Sequence, residues 1–288
     1  MKSSRSAFLS IRGLRYHVRL WGSADAPPVF LLHGWMDVSA TFQFLVDALQ
    51  RDWLVIAPDW RGFGLSTWTG GPYWFPDYVA DLDALLDHFT ADAPARLVGA
   101  SMGGNVACLY AGIRPARVSA LVTLEGFGLA PSEPDEAPTR LTRWLDQLRT
   151  NGEPKIHADF DLLAVRLCYN DPLLDPDRAR FLARHLGRRR DDGSVELAAD
   201  PSHRLVNPIL YRLEEIMACW LRVAAPVLWV VARESERLKR FVRHEDDYRA
   251  RLACFRDLRE IVIDNAGHHL HHHPPERIAR EIEDFMPR

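Results

Sequence analysis

Ser101 stands in Leu97-Val98-Gly99-Ala100-Ser101-Met102-Gly103-Gly104, where an apolar run passes into a small-residue helical pattern. A serine at such a junction is a candidate nucleophile. A hydroxyl held free at the tip of a strand needs a strained backbone, and the residues two positions away must be nearly side-chain-free for the turn to close. The pattern Gly-x-Ser-x-Gly is weak by itself: with Gly and Ser each near ~7% of residues, it arises by chance in roughly one chain in ten of this length. A neutral hydroxyl also needs a base to take its proton, and that base needs a carboxylate to orient it.

The elements around Ser101 must bring such partners to it. Phe8 to Ile11 and Tyr16 to Trp21 read as a hairpin around Arg12-Gly13, and Val29 to Leu32 as a short strand after a Pro-Pro breaker. Strand and helix patterns then alternate: Thr41 to Gln50 helical, Leu54 to Ala57 a strand, Tyr78 to Phe89 an amphipathic helix, Arg96 to Val98 a strand, Gly103 to Gly112 a helix and Ala120 to Leu124 a strand. After Glu125 and the Pro- and acid-rich stretch Pro131 to Pro138, the patterns at 141–148, 160–169, 178–186 and 209–220 are helical, with no strand of comparable strength. The alternation resumes with Pro226 to Val231, a helix at 245–253, a strand at 260–263 and a closing helix at 275–285. This order predicts an α/β protein with a mostly parallel, doubly wound sheet, whose core spans 1–129 and 223–288 and carries an inserted helical cap at 130–222.

In a doubly wound sheet, functional groups gather at the carboxyl ends of the strands. Four candidates fall there: His33-Gly34-Trp35, Ser101, Glu125 and Gly267-His268. His268, following Gly267 at the last strand exit, is the expected base. It opens a histidine-rich run, with His269, His271, His272 and His273 close behind. Metal binding is the alternative reading of that run. No acidic or cysteine cluster accompanies it and consecutive histidines project apart, so most of these side chains are expected to be solvated or packed against the insertion, with no metal site.

Taken together, Leu31 to Trp35, Pro58 to Ser66, Gly99 to Gly104, Pro226 to Val231 and Gly267-His268 resemble the α/β-hydrolase superfamily over nearly the whole chain, in its capped serine hydrolase-like branch. The resemblance implies a Ser, acid, His order and an oxyanion hole made by the backbone N–H groups of Trp35 and Met102. Most relatives carry the acid as an aspartate soon after the strand matching Pro226 to Val231. Here that stretch reads Ala232-Arg233-Glu234-Ser235-Glu236, with serine where the aspartate would fall. Glu125 is the substitute, since haloalkane dehalogenase-like members place their acid at the neighbouring strand end, and a glutamate closing an apolar strand is costly unless its charge is used. Glu234 and Glu236 are the fallback acids, otherwise exposed residues at a helix start. Asp37, Asp59 and Arg61 read as loop-ordering residues. Trp35, Phe127, Trp144 and Leu145 are candidate apolar pocket residues, and His203, Asn207 and Tyr211 candidate polar ones. Arg188 to Gly193 reads as a solvated loop.

Composition sets the outer limits. The chain has 288 residues, 47% of them hydrophobic, and 36 basic against 39 acidic residues give a net charge of −3 with no long run of one sign. That balance leaves no electrostatic footprint for nucleic acid, and no apolar run is long enough for a membrane span. Cys108, Cys168, Cys219 and Cys254 lie far apart, and Met1 to Ser6 shows no signal-peptide core, so free thiols and a cytoplasmic location are expected. The reading is a cofactor-independent serine hydrolase that cleaves a small-molecule carboxylic ester through an acyl-enzyme. Thioester, lactone or carbon–carbon bond hydrolysis by the same groups is the alternative, as is a non-catalytic ligand-binding protein on this fold.

Overall fold

The apolar strand runs are buried on both sides. Val29, Leu31, Val98, Val122, Leu228 and Val230 face one core, while Phe30, Leu32, Leu97, Leu121, Val227 and Trp229 face the other. Because successive strand residues point to opposite faces, a continuous run is what a strand covered by helices on both sides requires.

The computed structural model describes residues 1–150 and 154–287. The first half contains β1 (Ser4–Ile11), β2 (Leu14–Trp21), β3 (Pro28–Leu32), α1 (Gln43–Ala48), β4 (Leu54–Pro58), α2 (Phe75–Thr90), β5 (Ala95–Ala100), α3 (Met102–Ile113) and β6 (Val118–Leu124). Then come α4 (Glu136–Thr150), β7 (Ile156–His157), α5 (Phe160–Asn170), α6 (Pro176–Leu186), β8 (Gly187–Arg189), β9 (Val195–Leu197) and α7 (Leu213–Trp220). The chain closes with β10 (Val227–Ala232), α8 (Glu236–Phe241), α9 (Glu245–Leu252), β11 (Leu258–Ile263) and α10 (Pro275–Phe285).

The main sheet has the order β1-β2-β4-β3-β5-β6-β10-β11. β2 pairs antiparallel with β1 and β4, and every other neighbouring pair is parallel. From β3 the chain moves outward to β4 and then returns to place β5 on the other side. That reversal makes the crevice where such sheets bind ligands, and it puts the ends of β3, β5, β6, β10 and β11 on one edge. Tyr78, Leu82, Leu85 and Leu86 seat α2 on one face beside α3, and Ile278 and Ile282 seat α10 on the other beside α1.

Between β6 and β10, α5 and α6 bury Leu163, Leu182 and Leu186 against Val38 and Phe44 in a third cluster. This segment departs from the purely helical expectation. β7, β9 and β8 form a three-stranded antiparallel sheet, and Arg188 and Arg189 lie in a strand rather than a solvated loop. The strands are only two or three residues long, too short for alternation to register in sequence. Arg188 is held there by a 3.0 Å bond to Glu196 and by stacking 3.9 Å over the Trp68 ring. Among the described residues no helix is long and apolar enough to cross a membrane, and all four cysteines are free.

Candidate active site

Ser101 joins β5 to α3 at φ +50 and ψ −115. The turn closes because Gly99 and Gly103, two positions to either side, have no side chains. A Cβ on Gly99 would lie 2.4 Å from Gly103 O, and one on Gly103 would lie 2.0 Å from Leu32 O. The Ser101 N–H donates to Leu124 O at 2.8 Å, and its C=O accepts from Asn105 N–H at 3.0 Å. Six described non-glycine residues have positive φ, and four of them, Met36, Ser101, Glu125 and Asn265, lie in the loops leaving β3, β5, β6 and β11. Strain of this kind persists only where surrounding structure enforces it, so it marks this edge of the sheet.

The structure brings three of the expected groups into one hydrogen-bonded chain. Ser101 Oγ lies 2.9 Å from His268 Nε2, and His268 Nδ1 lies 3.1 Å from Glu125 Oε2. With Nδ1 protonated, the ring donates to the carboxylate and leaves Nε2 free to accept from the serine. Glu125 is buried, with its other oxygen accepting from Ala232 N–H at 2.7 Å. Ser235, which the sequence marked only as the residue in the vacated aspartate position, is buried too, and its hydroxyl donates to Glu125 Oε2. Ser235 Oγ also accepts from Leu238 N–H at 3.1 Å, which makes it the N-cap of α8. Glu234 and Glu236 are exposed, and Glu236 pairs with Lys239 at 2.7 Å.

Gly34 packs against the nucleophile: a Cβ there would stand 3.3 Å from Ser101 Cβ. Trp35 follows it and is 49% exposed. Met102 is the first residue of α3, where backbone N–H groups have no intrahelical acceptor and form the positive end of the helix dipole. His33, fully buried, fixes this loop by donating from Nδ1 to Gly34 O at 2.7 Å while Nε2 accepts from Trp60 N–H at 2.9 Å. Burial lowers its basicity, consistent with a neutral ring. Asp59 accepts from Ser39 and Leu65 N–H at 2.7 and 2.9 Å and from His17 Nδ1 at 2.8 Å. Burial opposes its charge, yet these donors hold it down to about 2. Arg61 makes two 2.6 Å bonds to Asp81.

The pocket candidates scatter. Phe127 is core, Trp144 is half-buried, Leu145 is exposed, and Asn207 caps its own turn by accepting from Ile209 N–H at 2.9 Å. Tyr211 approaches the turn after Glu125, where a Cβ on Gly128 would lie 3.0 Å from its hydroxyl. His203 is stacked between Phe63 and Tyr73 at 3.8 and 3.7 Å, and burial pushes it down to about 4. The stacking fastens this segment against the loop after β4.

The histidine run corrects the sequence expectation. His273 pairs with Asp171 at 2.9 Å and thus meets the β6–β10 segment as expected, and His271 and His272 are buried, but His269, His271 and His272 converge instead of diverging. The chain turns here, with His272 N–H donating to His269 O at 2.9 Å, so side chains two and three residues apart meet. Burial holds His269 down to about 4 and His272 well below the usual histidine range.

A family model described as alpha/beta hydrolase fold matches residues 27–275, and the chain belongs to that family. It is 29% identical over 278 residues to the serine hydrolase-like protein of Danio rerio, covering 93% of this chain and 84% of that one. It is 27% identical over 280 residues to 2-(acetamidomethylene)succinate hydrolase of Mesorhizobium japonicum, covering 96% and 94%. Among solved structures, the thioesterase domain from the curacin biosynthetic pathway superposes with a TM-score of 0.86 at 23% identity, covering 98% of this chain and 99% of that one, a likeness of fold.

Proposed function

We propose that the protein is a serine carboxylesterase acting on a small or medium apolar acyl ester, with Ser101, His268 and Glu125 as its catalytic residues. The observation that carries this reading is the continuous Ser101–His268–Glu125 contact chain, at 2.9 and 3.1 Å. Ser101 Oγ attacks the ester carbonyl carbon as its proton passes to His268 Nε2, and buried Glu125 stabilises the imidazolium. The oxyanion of the tetrahedral intermediate sits between the N–H groups of Trp35 and Met102. His268 then protonates the leaving alcohol, and water releases the acid by the same steps in reverse. No cofactor takes part in this scheme. Residues 130–222 act as a cap that shapes the acyl pocket, anchored by His203 and by the α5–α6 cluster. Four free cysteines suit a reducing compartment, and on that ground we assign the protein to the cytoplasm.

The test is turnover of a p-nitrophenyl ester series of increasing acyl length. Wild type hydrolyses the shorter members and Ser101→Ala does not. Equal rates for the two proteins, or no rate for either, would contradict the carboxylesterase reading.

A further inference from the structure

His269, His271 and His272 each offer a ring nitrogen to a set whose members all lie within 4.8 Å of one another. Two of those rings carry nitrogens with nothing to bond: His271 Nδ1 and His272 Nε2 are buried without a hydrogen-bond partner, on residues 2% and 5% exposed. Buried polar atoms are nearly always satisfied, so two orphaned imidazole nitrogens on one turn point to a missing partner. The far nitrogen of His271 is directed elsewhere, with Nε2 3.5 Å from Asp37 Oδ2 and 3.5 Å from Thr41 Oγ1. A carboxylate behind one imidazole nitrogen with the other left open is how metal-binding histidines are oriented.

We propose that His269, His271 and His272 form a transition-metal site, of a kind that takes zinc, separate from the Ser101 centre. Imidazole nitrogens select such borderline cations over magnesium or calcium. Three nitrogens at about 2.0–2.1 Å from an ion stand roughly 3.3 Å apart in a tetrahedral site, within the observed spread of up to 4.8 Å, so an ion would draw the rings together. Three protein ligands would leave the fourth position of a tetrahedral ion to water, and His269, only half-buried, is the ring of the set nearest to solvent. His268 stays outside the set because its two nitrogens already meet Ser101 and Glu125. An ion here would cross-link the turn carrying His268 to itself and, through Asp37, to the loop after β3.

The test is calorimetric titration of zinc chloride into chelator-stripped full-length protein, with the melting temperature measured in parallel. We expect one zinc per chain and a rise in melting temperature with zinc. Affinity should fall about 100-fold or more in His269→Gln and His272→Gln, and about 10–100-fold in Asp37→Asn. Ser101→Ala should bind as wild type does. Should His272→Gln fail to fold, His269→Gln decides, because that ring is only half-buried. The proposal is overturned if wild type shows no saturable binding, if His269→Gln binds unchanged, or if binding is lost in His268→Gln and kept in His269→Gln, which would put the ion on the catalytic ring.

Discussion

Two neighbouring strand tips flank His268, those of β6 and β10, and they carry opposite chemistry. The β6 tip ends in Glu125, a buried carboxylate at φ +59. The β10 tip runs through Ala232 to Ser235 and offers a buried hydroxyl in place of a carboxylate. The strands pair in parallel, with Val230 opposite Leu124, and Glu125 N–H donates to Val230 O at 2.9 Å. The Glu125 side chain then leans across to β10, taking Ala232 N–H on one oxygen and the Ser235 hydroxyl and His268 on the other. The negative charge therefore sits between the tips, and which strand supplies it is a separate matter from where it sits. A buried carboxylate without donors would be costly, and the β10 tip provides them.

That comparison breaks or sharpens by substitution. Glu125→Gln keeps the shape but loses the charge that holds the His268 tautomer, and ester turnover should fall about 10³–10⁴-fold with little change in KM. Returning the charge from the other tip, in Glu125→Gln with Ser235→Asp, should recover at least about tenfold of that loss, equivalent to ~1.4 kcal/mol of transition-state stabilisation. No recovery would mean that the tips are not interchangeable. Ser235→Ala removes one donor to the carboxylate and should lower kcat about tenfold, in line with one charge-assisted hydrogen bond, while Ser235→Thr restores it. Restoration by Thr separates positioning of Glu125 from loss of packing. Glu236→Gln, on an exposed side chain at the same tip, should leave turnover within about twofold of wild type.

Much of the frame was legible because it rests on local rules. Continuous apolar runs mark strands buried on both faces, and the small residues around Ser101 follow from backbone contacts within a few residues. Glu125 was legible as a charge at the end of an apolar strand. What escaped depends on tertiary placement. Ser235 meets Glu125 from 110 positions away, and nothing in its immediate neighbours announces that partner. The strands β7 to β9 are too short to carry a period, and they exist because α5, α6 and the core hold them together. The histidine run misled because divergence of neighbouring side chains is an extended-chain rule, whereas the His269–His272 turn folds them back on one another. His203 read as a polar group for a pocket, yet two aromatic rings enclose it.

The most direct measurement is the rate at which a fluorophosphonate labels the serine, followed by intact mass and by mapping the modified peptide. One adduct per chain on Ser101 is expected in wild type, none in Ser101→Ala, slow labelling in Glu125→Gln and wild-type labelling in Glu236→Gln. Labelling of Glu125→Gln as fast as wild type, or an adduct on any residue other than Ser101, would contradict the account.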